Sequence, residues 1–264
     1  MGSKTTRIHI IGGGNLGVAL AIGLSKFAPD TQITITRRNI QQIQFLENLN
    51  IRVSADNTFE ISQADFILLT VKPYQVDAVF NDILPHITNA VIASAVSGLN
   101  LDTLEQKTNQ EHSCVRIMPN IAAQFGESAT CISFSEKNRE AGQKIVGLFS
   151  LLGTAVIVEE KLMNASTILG ACGTAYALRY IRAAMQAGIE IGFDAPTALA
   201  IASQTVKGAA QMTLEEKAHP EQLIDRVTTP KGCTIVGLNE MEHQGFSSSL
   251  IKGIKTSFDM IKEL

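Results

Sequence analysis

The sequence carries little net charge and lacks any long apolar run, and both deficits exclude classes of function. Its 264 residues include 22 Lys and Arg and 25 Asp and Glu, a formal net charge of -3. Such a balance gives no general attraction to nucleic-acid phosphates or anionic lipid. No window of ~18 residues is apolar enough to span a membrane, and residues 1–14 lack the apolar core of a signal peptide. We therefore expect a soluble, cytoplasmic protein that binds neither nucleic acid nor membranes.

Clustered cysteines and histidines are also lacking. The four cysteines stand far apart, with no CxxC pair, and no two histidines have the spacing of metal ligands. We expect free, buried thiols and no metal site. The five histidines are isolated in the sequence, and we expect each to be structural or solvated. These residues are Cys114, Cys131, Cys172 and Cys233, and His9, His86, His112, His219 and His243.

Short β-rich runs alternate with helix-length segments from residue 5 to about residue 160. The runs are mostly continuous apolar or β-branched sequence, as strands covered on both faces require. Helical segments such as 16–27 and 139–152 lie between several of them. This order predicts an α/β fold with a Rossmann-type, doubly wound and mainly parallel sheet. The expected strands are 7–11, 32–36, 66–70, 90–95, 114–118, 130–134 and 154–158.

The residue pattern changes after Glu160. From there on, alanine and apolar residues recur at helical spacing, without comparable β-rich runs. We expect two domains, 1–160 and 161–264, the second all-helical. Turn signals at 192–196 and at 219–220 divide it into roughly four helices. The expected helix 165–190 is rich in small residues and apolar on more than one face, which favours burial against another subunit. The alternative is a helix in the middle of a monomeric bundle.

The first expected strand runs directly into a glycine-rich turn and then a helix. The turn reads GGGNLG, so the GxGxxG spacing occurs in the context that a dinucleotide site requires. Gly12 permits the tight turn, Gly14 lets the backbone approach a pyrophosphate, and Gly17 allows close packing of helix on sheet. The helix N-terminus, at Asn15 and Leu16, offers backbone N–H groups to phosphate. This pattern predicts a nicotinamide dinucleotide site.

The residues after the second strand indicate which dinucleotide is bound. Proteins specific for NAD usually carry an acid here, whereas this chain has Arg37 and Arg38. Guanidinium groups can clamp a 2′-phosphate, which favours NADPH, with NADH as the alternative cofactor. The other interpretation is a solvated pair of surface charges. Farther along, Lys72 and Pro73 follow the third expected strand, at the sheet edge where ligands bind, and Lys72 is expected near the nicotinamide.

Several segments, taken together and in order, carry a resemblance to a known family. They are Gly12–Gly17, TVKP (70–73), SAVSGL (94–99), RIMPN (116–120) and PEQLIDRVTTPKGCTIVGLNEME (220–242). The chain resembles the pyrroline-5-carboxylate reductases along nearly its whole length. The resemblance implies NADPH-dependent reduction of 1-pyrroline-5-carboxylate to L-proline. It also implies a helical dimerisation domain whose helices interleave with those of a second subunit, so we expect a homodimer or a higher homo-oligomer.

The same resemblance implies roles for residues outside the glycine loop. Asn57 would contact the adenosine ribose, and Val71, Lys72 and Pro73 would line the cofactor near the nicotinamide. The residues that would flank the nicotinamide and the substrate pocket are Ala95, Val96, Met118, Pro119 and Asn120.

The segment VTTPKGCTIVGL is expected to bind the imino-acid substrate. Thr229 is a good N-cap and Pro230 suits the first helical position, so the next turn would expose backbone N–H groups. The N–H groups around Gly232, Cys233 and Thr234 are expected to hold the substrate carboxylate. The Thr234 hydroxyl would bond the ring nitrogen and orient the substrate, as the catalytic side chain. Its ordinary alternative is a local backbone bond. Val227 completes the expected substrate-binding residues, which are Val227, Thr229, Gly232, Cys233 and Thr234.

The chain departs from the family in two segments. Lys231 and Gly232 stand where the family has two glycines, and residues 170–176 replace its GSGPAY loop. Lys231 either tightens anion binding or obstructs the turn. In the expected loop, Thr174 removes a rigid proline and Cys172 a hydroxyl. Two alternatives therefore stay open: a related imine or 3-hydroxyacid-type reductase with another anionic substrate, and a non-catalytic regulatory protein that binds NADPH.

Overall fold

A computed structural model describes residues 5–262, except for the side chain of Lys262, and contains a single eight-stranded sheet within that range. The strand order is β3-β2-β1-β4-β5-β6-β7-β8. Every neighbouring pair is parallel except β6 and β7, which are antiparallel. The strands are β1 Thr6–Ile11, β2 Thr31–Thr36, β3 Arg52–Ser54, β4 Phe66–Leu69, β5 Val91–Ser94, β6 Cys114–Met118, β7 Ser128–Ser133 and β8 Gly153–Ile157. The expected doubly wound, mainly parallel sheet is confirmed.

The seven expected strands are all present within a few residues of their predicted bounds, but the sequence did not predict β3. This strand has three residues, pairs only with β2, and begins at the exposed Arg52. Such a short edge strand lacks the continuous apolar run that marks the central strands. The central strands match that pattern because they are covered on both faces, as the buried Ile10 shows, paired with Ile35 and Leu68.

Two apolar cores lie on the opposite faces of the sheet. One contains Leu20 and Leu24 of the first helix together with Phe149 near the end of the fourth. The other contains Val79 and Phe80 of the second helix and Leu104 of the third. The helices are α1 Asn15–Phe27, α2 Val76–Ile83, α3 Leu101–Lys107, α4 Arg139–Ser150, α5 Met163–Ser166, α6 Gly173–Glu190, α7 Ala195–Glu216, α8 Pro220–Val227, α9 Cys233–His243 and α10 Phe246–Lys262. No helix within residues 5–262 is both long and apolar enough to cross a membrane.

The described chain divides into two compact units, with a boundary between residues 171 and 172. The sheet unit contains residues 5–171 and 260–262, and the helical unit contains Cys172–Asp259. Residues 161–171, expected in the second domain, belong to the sheet unit because Met163, Thr167 and Ile168 are buried there. The ends of the expected domains, 1–4 and 263–264, lie outside the described residues.

The helical unit contains five α-helices, not roughly four. The turn signals stand where expected: Gly192 has φ +114°, and the Asp194 side chain accepts a hydrogen bond from Thr197 N before α7. The sequence did not predict the break between α9 and α10, at Gly245, where φ is +81°. The expected helix 165–190 lies within a continuous helical run from Met163 to Glu190, in which Thr167–Cys172 form a π-helix.

Candidate functional site

The glycine loop follows β1 at the carboxyl edge of the sheet, and Thr70 holds it. The Thr70 hydroxyl donates to the carbonyl oxygens of Gly12 at 2.7 Å and Ile11 at 3.1 Å. Gly12 has φ +111°, and a Cβ atom there would lie 2.8 Å from the Thr70 carbonyl. A Cβ on Gly17 would lie 2.1 Å from the Gly12 oxygen. Both positions require glycine for packing within the protein itself. The sequence alone does not indicate that Thr70 holds the loop.

Gly14 differs from its neighbours because no atom lies within 4 Å of a Cβ built on it. It is the N-cap of α1 and supplies no side-chain cap, and the first turn holds no acidic residue. The N–H groups of Asn15, Leu16 and Gly17 therefore lack intrahelical partners and face no carboxylate of their own turn. Open space above a helix N-terminus is the geometry that accepts a phosphate group.

The two arginines after β2 differ in their surroundings. Arg37 donates from Nη1 to the Gly13 carbonyl oxygen at 2.5 Å and from Nη2 to Gln42 Oε1. Its guanidinium is therefore held against the glycine loop. Arg38 is exposed, and within the described part of the chain it makes no hydrogen bond or ion pair. The first arginine is fixed in place and the second is available to an anion.

Asn57 lies beside the end of β2 as well. Its Oδ1 accepts a hydrogen bond of 2.7 Å from the Thr36 hydroxyl, and its Nδ2 donates to Asp82 Oδ2 at 3.3 Å. The side chain is half-buried. These two bonds orient the amide at the same sheet edge as the glycine loop and the arginines.

The remaining expected cofactor residues follow β4, β5 and β6. Val71 is half-buried, whereas Lys72 and Pro73 are exposed at the start of a 3₁₀ turn. Ala95 is buried, and its N–H donates to the Leu69 oxygen at 2.9 Å. Because parallel strands share one carboxyl edge, all the expected cofactor residues lie along that edge of the sheet unit.

Asn120 is fixed by three hydrogen bonds after β6. Its N–H donates to Ser128 Oγ at 3.1 Å, and its Oδ1 accepts from Ala122 N at 3.0 Å. Its Nδ2 donates to the Gly170 carbonyl oxygen at 3.2 Å. The amide orientation is therefore determined by a donor on one side and an acceptor on the other.

The expected start of the substrate-binding helix was wrong. Neither Thr229 as N-cap nor Pro230 as first helical residue is correct, because α9 begins at Cys233 with Gly232 as its N-cap. Residues 229–232 form a turn in which Gly232 N–H donates to the Thr229 oxygen at 2.9 Å. The Gly232 N–H is thus occupied, whereas those of Cys233 and Thr234 lie in the first turn, where no intrahelical acceptor exists.

The side chains around this turn differ in exposure. Val227, Thr229 and Cys233 are exposed, whereas Thr234 is half-buried. Lys231 is exposed and has φ +59°, the left-handed conformation that favours glycine. The helical unit therefore brings together four of the five expected substrate residues in and beside one turn, and Val227 ends the preceding helix α8.

The expected loop at 170–176 was also wrong, because this segment is helical. It comprises the end of the π-helix and the first turn of α6. The Tyr176 hydroxyl donates to Ser257 Oγ at 2.8 Å. The expected loosening of a rigid turn by Thr174 therefore does not apply, since no turn is present.

The four cysteines and His9 differ in burial. All four cysteines are free, but Cys233 is exposed and only Cys114 is fully buried, which corrects the expectation of buried thiols. Burial raises the pKa of the Cys114 thiol to about 11. Burial likewise lowers the pKa of His9, in the middle of β1, to about 4. Within residues 5–262 no group of three or more His, Cys, Asp or Glu side chains could hold a metal ion.

Comparison with known families and proteins matches both parts of the chain. Residues 160–264 match the family described as pyrroline-5-carboxylate reductase dimerisation, and residues 7–98 match that described as NADP oxidoreductase coenzyme F420-dependent. Pyrroline-5-carboxylate reductase 1 of Dictyostelium discoideum is 40% identical over 97% of this chain, which spans 49% of that protein's length. Pyrroline-5-carboxylate reductase of Methanosarcina acetivorans is 35% identical over 99% of this chain and 98% of the relative.

A solved structure agrees over the whole length. Crystal structures of 1-pyrroline-5-carboxylate reductase from Streptococcus pyogenes include a chain with a TM-score of 0.86 and 28% sequence identity. The match covers 99% of this chain and 100% of that one. Fold and sequence therefore point to the same family.

Proposed function

The chain belongs to the pyrroline-5-carboxylate reductase family, and we propose that it reduces 1-pyrroline-5-carboxylate to L-proline with NADPH. This makes it an oxidoreductase acting on a C=N bond. The observation that carries the proposal is the sheet edge where the open space at Gly14, the N-terminus of α1 and two arginines occur together. A second observation supports it: α9 begins with N–H groups that have no intrahelical acceptor, in the segment of the family signature.

NADPH is proposed over NADH because of the residues beside β2. A pyrophosphate would sit on the N–H groups of Asn15, Leu16 and Gly17, in the space that Gly14 leaves open. A 2′-phosphate would bind Arg38, with Arg37 held beside it by the Gly13 carbonyl. The adenosine ribose would bind Asn57. The match of residues 7–98 to a family described as an NADP oxidoreductase supports the same choice.

The nicotinamide is proposed to lie where the segments after β4, β5 and β6 meet the sheet edge. Val71, Lys72 and Pro73 would line one side of it, and Ala95 and Asn120 the other. When bound, NADPH supplies the hydride. The protein supplies a wall of buried or hydrogen-bonded groups that fixes the direction from which an imine carbon can approach.

The substrate carboxylate is proposed to bind the N–H groups of Cys233 and Thr234, with Thr229, Gly232 and Val227 beside it. The helix dipole strengthens such a site. The Thr234 hydroxyl oxygen would accept a hydrogen bond from the N–H of the protonated imine and so orient the ring. The imine nitrogen would take its proton from solvent and keep it in the amine product, and bound NADPH would supply the hydride for the imine carbon. Orientation and carboxylate binding are therefore the protein's main contributions, and no perturbed acid or base is needed.

The helical unit supports a homodimer or a higher homo-oligomer. Apolar side chains are exposed on most of its helices, and a cavity of about 320 Å³ lies between α6 and α7. Tyr180, Ile191, Phe193 and Ile201 line that cavity. A monomer that exposed so much apolar surface would aggregate, so we propose that a second copy covers it. The match to a dimerisation family over residues 160–264 agrees with this proposal.

The function is tested by mixing the purified protein with NADPH and 1-pyrroline-5-carboxylate and following the absorbance of NADPH. We expect substrate-dependent oxidation, and slower oxidation of NADH at equal concentration. Cofactor binding without turnover on any cyclic imine would favour the non-catalytic alternative. Turnover only on other anionic imines or on hydroxyacids would favour the related-reductase alternative, in which Lys231 would select the substrate.

The role of Thr234 is tested by Thr234→Ala. Loss of a hydrogen bond to a charged group costs about 1.5–3 kcal/mol, so kcat/KM should fall roughly 10- to 160-fold. Thr197→Ala is the matched control, since Thr197 also lies in the first turn of a helix of the same unit and is exposed. Equal turnover by Thr234→Ala and wild type would remove the hydroxyl from the mechanism.

A further inference from the structure

An ion pair between a buried arginine and a partly exposed glutamate lies in the sheet unit, on the strand that leads to Asn120. Arg116 is 3% exposed in the middle of β6, and its Nη1 lies 2.6 Å from Glu160 Oε1. Its Nη2 donates to Asn164 Oδ1 at 3.1 Å. Desolvating an arginine costs several kcal/mol, and Glu160, whose side chain is 32% exposed, recovers only part of that cost because solvent screens the pair. This pair is not needed for the proposed chemistry, and stability alone is a weak reason for it.

Glu160 joins a second segment to the pair. Its Oε1 also accepts a 3.0 Å hydrogen bond from the backbone N–H of Leu101, the first residue of α3. Leu101 ends the segment that follows β5, and Arg116 lies on the strand that leads to Asn120. One carboxylate oxygen therefore ties together the two chain segments that contain Ala95 and Asn120.

Asn164 extends the network to the helical run that follows. Arg116 contacts this run near its start, at Asn164, and Asn120 contacts it six positions later, at the Gly170 carbonyl, 3.2 Å from Asn120 Nδ2. Gly170 lies within the π-helix Thr167–Cys172, and π-helical turns are frequent at functional sites. The run is thus held at two points, and the second point orients the Asn120 amide.

The network is also incompletely satisfied. Arg116 Nε and Glu160 Oε2 are buried and have no hydrogen-bond partner in the described structure. The paired atoms, by contrast, all lead to segments at the proposed nicotinamide position.

We propose that Arg116 and Glu160 are positioning residues for hydride transfer. They touch neither cofactor nor substrate, and they fix the segments after β5 and β6 and the Gly170 carbonyl, so that Asn120 and Ala95 hold the nicotinamide in one orientation. This inference rests on the proposed function. It predicts that loss of the pair affects the reacting geometry much more than the affinity for the dinucleotide, which is bound mainly at the other end of the sheet edge.

The test compares wild type with the double variant Arg116→Met/Glu160→Met, which leaves no unpaired buried charge, and with Asn164→Ala, which keeps the ion pair. The matched control is Arg139→Met/Glu136→Met, which removes an exposed ion pair of 2.6 Å. The measurements are kcat, the dissociation constant of NADPH, the kinetic isotope effect with 4-deuterated NADPH, and the melting temperature.

We expect kcat of the double variant to fall at least about 10-fold, equivalent to about 1.4 kcal/mol, with a larger isotope effect and NADPH affinity within about threefold. Asn164→Ala should show a smaller loss of the same kind, and the control should match wild type. A changed melting temperature with unchanged kcat and isotope effect would overturn the proposal, as would equal losses in kcat and NADPH affinity.

The wild-type assay separates this test from that of the proposed function. If wild type does not oxidise NADPH with the imine, the proposed function fails. The inference is then tested by the nicotinamide fluorescence lifetime of bound NADPH. A lifetime altered in the double variant and unaltered in the control supports the positioning role, and equal lifetimes in all variants refute it.

Discussion

The sheet unit and the helical unit bury their apolar side chains to very different extents. In the sheet unit, two clusters cover both faces of the sheet, and side chains such as Phe149, Ile10 and Leu24 are completely buried. Among the described residues of the helical unit, only Ala198 and Leu223 are buried. Burial of apolar surface is the main favourable contribution to folding. The sheet unit can therefore stabilise itself, whereas the proposed second copy would supply the apolar contacts that the helical unit lacks.

The largest effect is expected from a substitution on the exposed apolar surface of the helical unit. Ile201, which is 48% exposed and lines the cavity between α6 and α7, should be covered in a dimer. Ile201→Glu would bury a charge at the subunit contact at a cost of several kcal/mol. We expect a monomeric mass by light scattering at micromolar concentration and loss of most activity.

The matched control for that variant lies in the sheet unit. Phe45 is 51% exposed, and Phe45→Glu should leave mass and activity unchanged. If both variants remain dimeric, the second copy does not cover the α6–α7 cavity. If wild type itself is monomeric, the proposed homo-oligomer is wrong.

A second prediction concerns the glycine loop of the sheet unit, where Gly17 is required by close packing and Gly14 leaves space for a ligand. Gly17→Ala places a Cβ 2.1 Å from the Gly12 oxygen, so the unfolding free energy should fall by about 3 kcal/mol. Gly14→Ala meets no atom within 4 Å, and loss of a glycine N-cap changes stability by less than about 1 kcal/mol.

The same Gly14→Ala change should instead weaken cofactor binding. A methyl group in the open space would push a pyrophosphate away from α1, raising the NADPH dissociation constant about 10-fold, or about 1.4 kcal/mol. Urea denaturation and NADPH titration measure the two effects separately. Unchanged affinity in Gly14→Ala would place the pyrophosphate elsewhere.

The sequence predicted the features that local patterns encode and missed those that depend on distant contacts. The glycine loop and the central strands are visible because each is a continuous segment. Close backbone contacts require glycine at two positions of the loop, and burial on both faces favours apolar residues in the strands. The predicted start of α9 is wrong because Thr229 and Pro230 are residue types that favour the first positions of a helix. The left-handed conformation at position 231 was also not predicted, because a glycine would indicate such a turn and a lysine does not. The Arg116–Glu160 pair joins residues 44 positions apart, and no spacing rule predicts it.

The third prediction is that the stability of the sheet unit depends on pH, because that unit contains a buried histidine. Burial lowers the pKa of His9 to about 4 from 6.5, so the unfolded chain binds a proton at higher pH than the folded protein. The folded state therefore loses stability as the pH falls below 6.5 toward 4, and gains none above 6.5. Between pH 7.5 and 5 the loss should be about 2 kcal/mol, measured by urea denaturation.

Replacement of this histidine should remove the pH dependence that it causes. His9→Val suits a buried strand and carries no proton, so its unfolding free energy should fall about 2 kcal/mol less than that of wild type over the same range. His243→Gln, at an exposed site in the helical unit, should keep the wild-type slope. Identical slopes for His9→Val and wild type would assign the acid sensitivity to other groups.

The smallest expected effect returns to the helical unit, at the turn that contains Lys231. Lys231 has φ +59°, a conformation that costs a side chain about 1 kcal/mol or more and costs glycine almost nothing. Lys231→Gly should therefore raise the unfolding free energy by about 0.5–1 kcal/mol, since the added chain entropy of glycine offsets part of the gain. Lys207→Gly is the matched control, because Lys207 is exposed inside α7, where glycine destabilises a helix by about 1 kcal/mol.

The KM for the imine separates the two interpretations of Lys231. A higher KM in Lys231→Gly means that the cation attracts the substrate carboxylate, and a lower KM means that the side chain obstructs the turn.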